Sequence, residues 1–233
     1  MALRSILCSM GMALLLAVLS PSAPHAAGGS PDGGSTGFRK GHTTPGQRAI
    51  TEYREGERHL DRARAAQLDL LEARAGGDEA RIAKLDEQAK GAYVQAERRF
   101  RQALEYDDAL FQAWSSLGYT LRRQGGFEAA LAAYDKAIAL EPRYAEAVEY
   151  RAESHLELGR LEEAKAGYVT LVDWVRPMAD QLMAKMEAWV ETRSKAPGDV
   201  DPTEIEAFAQ WIAERRETDG EYRVFTAKDR ASW

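Results

Sequence analysis

A stack of antiparallel helical hairpins, an all-α solenoid, is the fold this sequence predicts. Ala, Glu, Arg, Leu and Gln dominate residues 47–217, and these are strong helix formers. No long alternating run of Val, Ile and Thr marks a strand. Within this stretch the same residue types return at an offset of about 34 residues: Ala96, Ala130 and Ala164, then Phe100, Tyr134 and Tyr168. A fixed period of that length is the mark of stacked two-helix units. Pro45, Pro142, Pro177, Pro197 and Pro202 all fall at expected boundaries, because proline costs about 3 kcal/mol inside a helix.

The elements follow in chain order. Residues 1–26 have the pattern of a secretory signal: Arg4 near the start, an apolar run over 6–19, then Pro21, Pro24 and small Ala26 and Ala27. The run is shorter than the roughly 20 residues a comfortable transmembrane helix needs. Export is therefore expected, with the periplasm as destination; an uncleaved anchor is the alternative. Residues 27–46 are rich in Gly, Ser, Thr and Pro and are expected to be a flexible linker. Thr44, Pro45 and Gln47 supply a capping box with Pro at the first helical position.

Residues 47–108 are expected to form an extended hairpin. Gly56 and its matching Ala96 lie forty residues apart, whereas Gly118 and Ala130 lie twelve apart. Dividing the insertion between two helices, with Gly76 and Gly77 as the turn, predicts an arm about 20 Å beyond the stack at about 1.5 Å per residue. Leu60, Ala63, Leu68 and Leu71 are assigned to its inner face, opposite Ile82, Leu85, Ala89 and Tyr93. One broken helix with a disordered middle is the alternative. Residues 109–142 carry the best-matching repeat and 143–176 a degenerate one. Residues 177–217 are expected to cap the array, with Leu182, Met186 and Trp189 on one helix and Ile205, Phe208, Trp211 and Ile212 on the next. Four of the five tryptophans lie at or beyond Trp174, where cap packing explains them. In the tail, 218–233, residues 222–225 read as a short extended segment.

The repeat resembles the tetratricopeptide-repeat family. Its signature positions are filled by Trp114, Leu117, Gly118, Ala130, Tyr134, Ala137 and Pro142, with Leu121 where the family has Tyr. In the next unit the first helix departs from the pattern, carrying Val148, Arg151, Ala152 and His155. The resemblance implies a non-enzymatic interaction module that holds a partner segment along the concave face of its first helices. It places Gln112, Ser115, Tyr119 and Arg122 on that face, then Glu146, Glu149 and Glu153 from the following repeat, and Asp180, Met183 and Glu187 beyond. On this basis the N-terminal half of the groove is expected to be mixed or basic and the C-terminal half acidic. An acidic groove complements a basic or N-terminal-amine-bearing protein segment; a merely solvated charged face is the alternative. Arg122 and Arg123 are also placed to pair with Glu153 or Glu157 across repeats.

Charge and motif content exclude several classes. With 37 acidic against 31 basic residues and a formal charge of −6, the chain lacks the basic surface nucleic-acid binding needs. The single cysteine, Cys8, lies inside the signal, so no disulfide, thiol nucleophile or Cys-based metal site is expected. No phosphate-cradling Gly-rich loop, His-Glu-x-x-His or Gly-x-Ser-x-Gly pattern occurs, and no cofactor is implied. His59 and His155 occupy equivalent packing positions, and His42 lies in the linker. Glu149 and Glu153 stand i, i+4 on one helix face, a spacing that also suits acid/base chemistry on a glycan. Self-association through the arm and terminal helices is a second reading beside partner binding.

Overall fold

The computed structural model describes residues 43–231, with side chains through 219. The expected signal and most of the linker lie outside the described residues. Among the described residues the chain forms eight α-helices and no strand. They are α1 (Pro45–Gly76), α2 (Glu79–Tyr106), α3 (Phe111–Arg123), α4 (Phe127–Leu140), α5 (Ala145–Glu157), α6 (Leu161–Trp174), α7 (Arg176–Lys195) and α8 (Pro202–Ala231). Consecutive helices pack as hairpins, and α5 also packs against α7, which brings first helices of successive hairpins side by side. The fold is therefore an α-solenoid of helical hairpins with a long first hairpin and a C-terminal helical cap.

Local chemistry starts and stops these helices. At α1 the Thr44 hydroxyl accepts from the Gln47 N–H at 3.2 Å and the Gln47 side chain accepts from the Thr44 N–H at 2.9 Å, the reciprocal box expected from sequence. Helix α1 has 32 residues and α2 has 28, whereas α3 to α6 have 13 or 14. The surplus makes an arm of about 20–25 Å at about 1.5 Å per residue. Gly77 turns the arm in the left-handed region, at φ 68°, and Asp78 then accepts from the Arg81 N–H at 3.0 Å to open α2. Gly77→Ala places a Cβ in that conformation, and a loss of about 1–2 kcal/mol is expected in thermal or urea unfolding. No change in stability would show that the turn relaxes to another conformation.

The arm corrects one assignment. Its inner stripe is Leu60, Ala63, Ala66, Leu70 and Ala73, while Leu68 and Leu71 are 53% and 61% exposed. A two-helix arm buries only a narrow stripe of each helix, and alanines at 63, 66 and 73 let the backbones approach. Leu85, Ala89 and Tyr93 face them from α2, as expected, with Ile82 packed beside them.

Close packing inside each hairpin follows one device used twice and then inverted. Gly56 of α1 faces Phe100 of α2, and Gly118 of α3 faces Tyr134 of α4; a Cβ at either glycine would sit 2.5–2.6 Å from the ring. Phe100 and Tyr134 are fully buried. In the third hairpin the matching first-helix position is Ala152, and the missing space is supplied by Gly167 on α6, where a Cβ would lie 2.6 Å from that of Ala152. The departure from the repeat pattern at Ala152 is thus compensated on the facing helix.

At the far end α7 buries Leu182, Met183, Met186 and Trp189, and α8 covers them with Ile205, Phe208 and Ile212. Trp189 meets Phe208 edge-on at 5.9 Å, and Trp211 stacks on Phe208 at 6.0 Å and meets Tyr168 edge-on at 5.7 Å. Packing accounts for Trp174, Trp189 and Trp211; Trp233 lies outside the described residues. The Tyr168 hydroxyl also bonds the buried Asp219 carboxylate, which pairs with Arg176 at 3.0 Å. Helix α8 continues to Ala231, so residues 222–225 are helical rather than extended. Among the described residues no helix is long and apolar enough to cross a membrane.

Candidate functional site

The first helices of the hairpins, α1, α3, α5 and α7, share one face, and most sequence-assigned site residues lie along it. Side-chain contacts across this face set its chemistry. Tyr119 of α3 and Tyr150 of α5 lie 5.2 Å apart, and Tyr150 reaches Tyr134 at 6.2 Å. The Arg122 guanidinium lies 5.4 Å from the Tyr119 ring and 5.6 Å from the Tyr150 ring. Arg64, on α1, covers the Tyr119 ring at 5.0 Å. Cations over tyrosine faces contribute about 0.5–2 kcal/mol each, more where desolvated.

Charge on this face differs from the sequence expectation. Glu149 and Glu153 are buried, at 3% and 7% exposure, so they are not open acidic lining. The Lys185 ammonium from α7 pairs with Glu149 at 3.0 Å and also with Glu153. Arg122 pairs with Glu153 at 2.6 Å, the cross-repeat contact considered from sequence. Two cations thus balance two carboxylates in the C-terminal half. Burial pushes the Glu149 carboxyl up against the pull of Lys185. Burial pulls Lys185 down, but Glu153 and Glu149 outweigh it and leave the ammonium above its ordinary value. Further along, Glu187 is taken by Arg216 at 2.7 Å, Asp180 faces Arg176 at 3.4 Å, and Met183 is fully buried.

Two further carboxylates stand on the first helices, Glu57 on α1 and Glu146 at the start of α5. Glu57 of α1 accepts from the Ser116 hydroxyl of α3 at 2.7 Å. Burial raises its carboxyl, with Asp61 and Glu146 adding to the rise and Ser116 and Arg64 opposing it. Glu146 is exposed and accepts from the Tyr144 hydroxyl at 2.6 Å. Tyr53 of α1, half-buried beside Phe100 at 5.9 Å, is pushed up to about 12 by burial and then by Glu57 and Glu146. Gln112 is half-buried and Ser115 buried, so Ser115 presents little surface to a partner.

Sequence reasoning missed Tyr53, Glu57, Arg64, Ser116, Tyr150 and Lys185. Glu57 and Tyr53 stand one period before Tyr119 and Ser115 once the arm insertion is removed, so the signal existed in the register of Gly56 with Gly118. Lys185 carried no local signal, because its role arises only where α7 packs on α5.

Arg122→Met is expected to cost about 1–3 kcal/mol, since Glu153 loses a buried partner but keeps Lys185. Urea unfolding checks it, and an unchanged midpoint would show that Lys185 alone satisfies the site.

Residues 115–169 match the family model described as tetratricopeptide repeat, which is less than half of the chain. No curated protein matches the sequence. Among solved structures, the first tetratricopeptide domain of Spaghetti (RPAP3) bound to HSP90 peptide SRMEEVD is similar at 17% identity and a TM-score of 0.46, over 64% of this chain and 98% of that one. The MamA protein is similar at 16% identity and a TM-score of 0.40, over 76% of this chain and 96% of that one.

Proposed function

We propose that this chain is a non-enzymatic scaffold of the cell envelope that holds a segment of a protein partner along the concave face of α1, α3 and α5. The observation that carries this reading is that face itself: α1, α3 and α5 bring half-buried Tyr53, Ser116, Tyr119 and Tyr150 and exposed Glu146 onto it. The tetratricopeptide match over 115–169 supports a partner-binding role. Occupation of Glu149 and Glu153 by Lys185 and Arg122 speaks against a glycan-cleaving carboxylate pair. Export rests on the signal-like residues 1–26.

The test is capture from an envelope extract by the chain from residue 28 onward, which holds every described helix. A second bait carries Ser116→Arg and Glu146→Lys, with helicity checked by circular dichroism. A protein held by the first bait and released by the second is the expected outcome. Equal capture by both would move the interaction off this face. N-terminal sequencing of the periplasmic protein is expected to begin near residue 27; an uncut, cytoplasmic chain would end the envelope part of the reading.

One observation favours self-association as a second reading. Leu68 and Leu71 stand exposed one turn apart on the arm. If arms pair through them, Leu68→Glu with Leu71→Glu lowers the mass measured by sedimentation equilibrium. A mass already monomeric at high concentration would sink that reading.

A further inference from the structure

We infer that the arm is a dimerisation element whose α3-side face packs antiparallel on the same face of a second copy of this chain. In that arrangement Leu68 meets Leu71 of the second copy and Glu79 meets its Lys90. The inference rests on the self-association reading above and fixes its surface, direction and register.

Contacts inside the stack identify this face. On α1, Glu57 accepts from the Ser116 hydroxyl of α3 at 2.7 Å, and Arg64 lies over the Tyr119 ring of α3 at 5.0 Å. On α2, Glu97 accepts at 2.7 Å from the side chain of Gln124, the residue that ends α3. The residues four, seven and eleven beyond Arg64 are Leu68, Leu71 and Ala75, and these spacings keep to one face of a helix. The residues seven, eleven, fourteen and eighteen before Glu97 are Lys90, Asp86, Ala83 and Glu79, again on one face. Helix α3 covers this face inside the stack and stops at Gln124. Beyond that level the same face runs on along the arm, where Leu68 and Leu71 are exposed beside exposed Ala75 and Ala83.

Charge complementarity names a second copy as the occupant. Leu70, Ala73, Leu85 and Ile82 pack as one cluster, which sets Leu70 level with Leu85 and Ala73 level with Ile82. The midpoint of Leu68 and Leu71 on α1 and the midpoint of Glu79 and Lys90 on α2 therefore fall at one level of the arm, within about 1.5 Å. A two-fold axis across the arm at that level lays α1 on α1 and α2 on α2 in opposite directions. It sets Leu68 on Leu71, Asp86 on Ala83 and Glu79 on Lys90, each contact made twice, as an isologous interface requires. Opposite charges thus frame an apolar centre. A parallel pairing lays α1 on α2 instead and parts Glu79 from Lys90. On its own helix Lys90 has Asp86 at 2.7 Å and Glu87 at 3.4 Å, both solvent-exposed pairs that hold it weakly. Two helices each about 10 Å wide, over an arm about 20 Å long, offer roughly 400 Å² per copy, half of the ~800 Å² a stable interface buries on each side. The dimer is therefore weak and reversible, and it forms where the chain is concentrated.

The test is sedimentation equilibrium of the chain from residue 28, at low salt and from micromolar to millimolar protein. The unsubstituted chain is expected to pass from monomer to dimer across that range. Leu68→Glu with Leu71→Glu is expected to stay monomeric with its thermal midpoint unchanged, since both side chains are exposed. Glu79→Lys alone and Lys90→Glu alone are each expected to weaken the dimer about tenfold, because each turns two attractions into two repulsions. An equimolar mixture of these two variants re-forms both contacts and is expected to regain the mass of the unsubstituted chain as a heterodimer. Mixing would not rescue a damaged arm, so recovery also separates the contact from any loss of helix α2. A dimer that the leucine variant abolishes but the mixture fails to restore would overturn the antiparallel register and leave the self-association reading in place. A chain that stays monomeric throughout, or a dimer that the leucine variant leaves intact, would overturn both.

Discussion

Tyr134→Ala is expected to lower the unfolding free energy by about 3–5 kcal/mol, the range for emptying an aromatic site in a packed core. The Tyr134 ring is fully buried, fills the gap above Gly118 and reaches Tyr150 at 6.2 Å, so its loss opens a void between α3, α4 and α5 that Gly118 cannot fill. The converse change tests the same contact from the other side. Gly118→Ala drives a Cβ to within 2.6 Å of the ring, and a fully buried ring has little room to retreat; a smaller cost of about 1–3 kcal/mol is expected from overpacking. Combining the two should recover part of the loss, because the alanine at 118 enters the space the ring vacated. Urea unfolding of the three variants checks this. Strictly additive losses would mean that the two positions do not share a cavity.

Phe208→Ala is expected to cost about 3–5 kcal/mol as well, and to act locally. Phe208 is fully buried between Trp189 and Trp211, and the cap it anchors covers the last apolar face of the stack. In a repeat array each unit is stabilised by its neighbours, so an uncapped end frays before the middle melts. Hydrogen exchange in Phe208→Ala should quicken in α6 to α8 and stay slow in α3 and α4. Uniform acceleration along the chain would show that the array unfolds as one unit and that the cap has no separate role.

The solenoid was legible because close helix packing leaves few residue choices. Glycine must stand where an aromatic ring from the facing helix lands, which is why Gly56 meets Phe100 and Gly118 meets Tyr134. The arm was legible in length, from the forty residues between Gly56 and Ala96, but not fully in orientation. Leu68 and Leu71 look like inner residues by hydrophobicity, yet alanine spacing at 63, 66 and 73 decides which stripe two backbones can share. Residues 222–225 read as extended because their side chains are β-formers, whereas α8 continues through them to Ala231. The two carboxylates of α5 read from sequence as open lining and are instead buried and paired. Glu149 and Glu153 gave an acidic run along one helix; Lys185 lies 36 and 32 residues away and reaches them only through the packing of α7 on α5. Glu57 was hidden because the arm insertion interrupts the period that would have aligned it with Tyr119.

The measurement that bears most directly on the account is photo-crosslinking in the intact cell. A photoreactive amino acid at Glu146, on the concave face, is compared with one at Ala129, exposed on α4. The account predicts a discrete protein adduct from position 146 and none from position 129. Adducts of the same size from both positions, or from Ala129 alone, would contradict the claim that the concave face of α1, α3 and α5 is where this protein works.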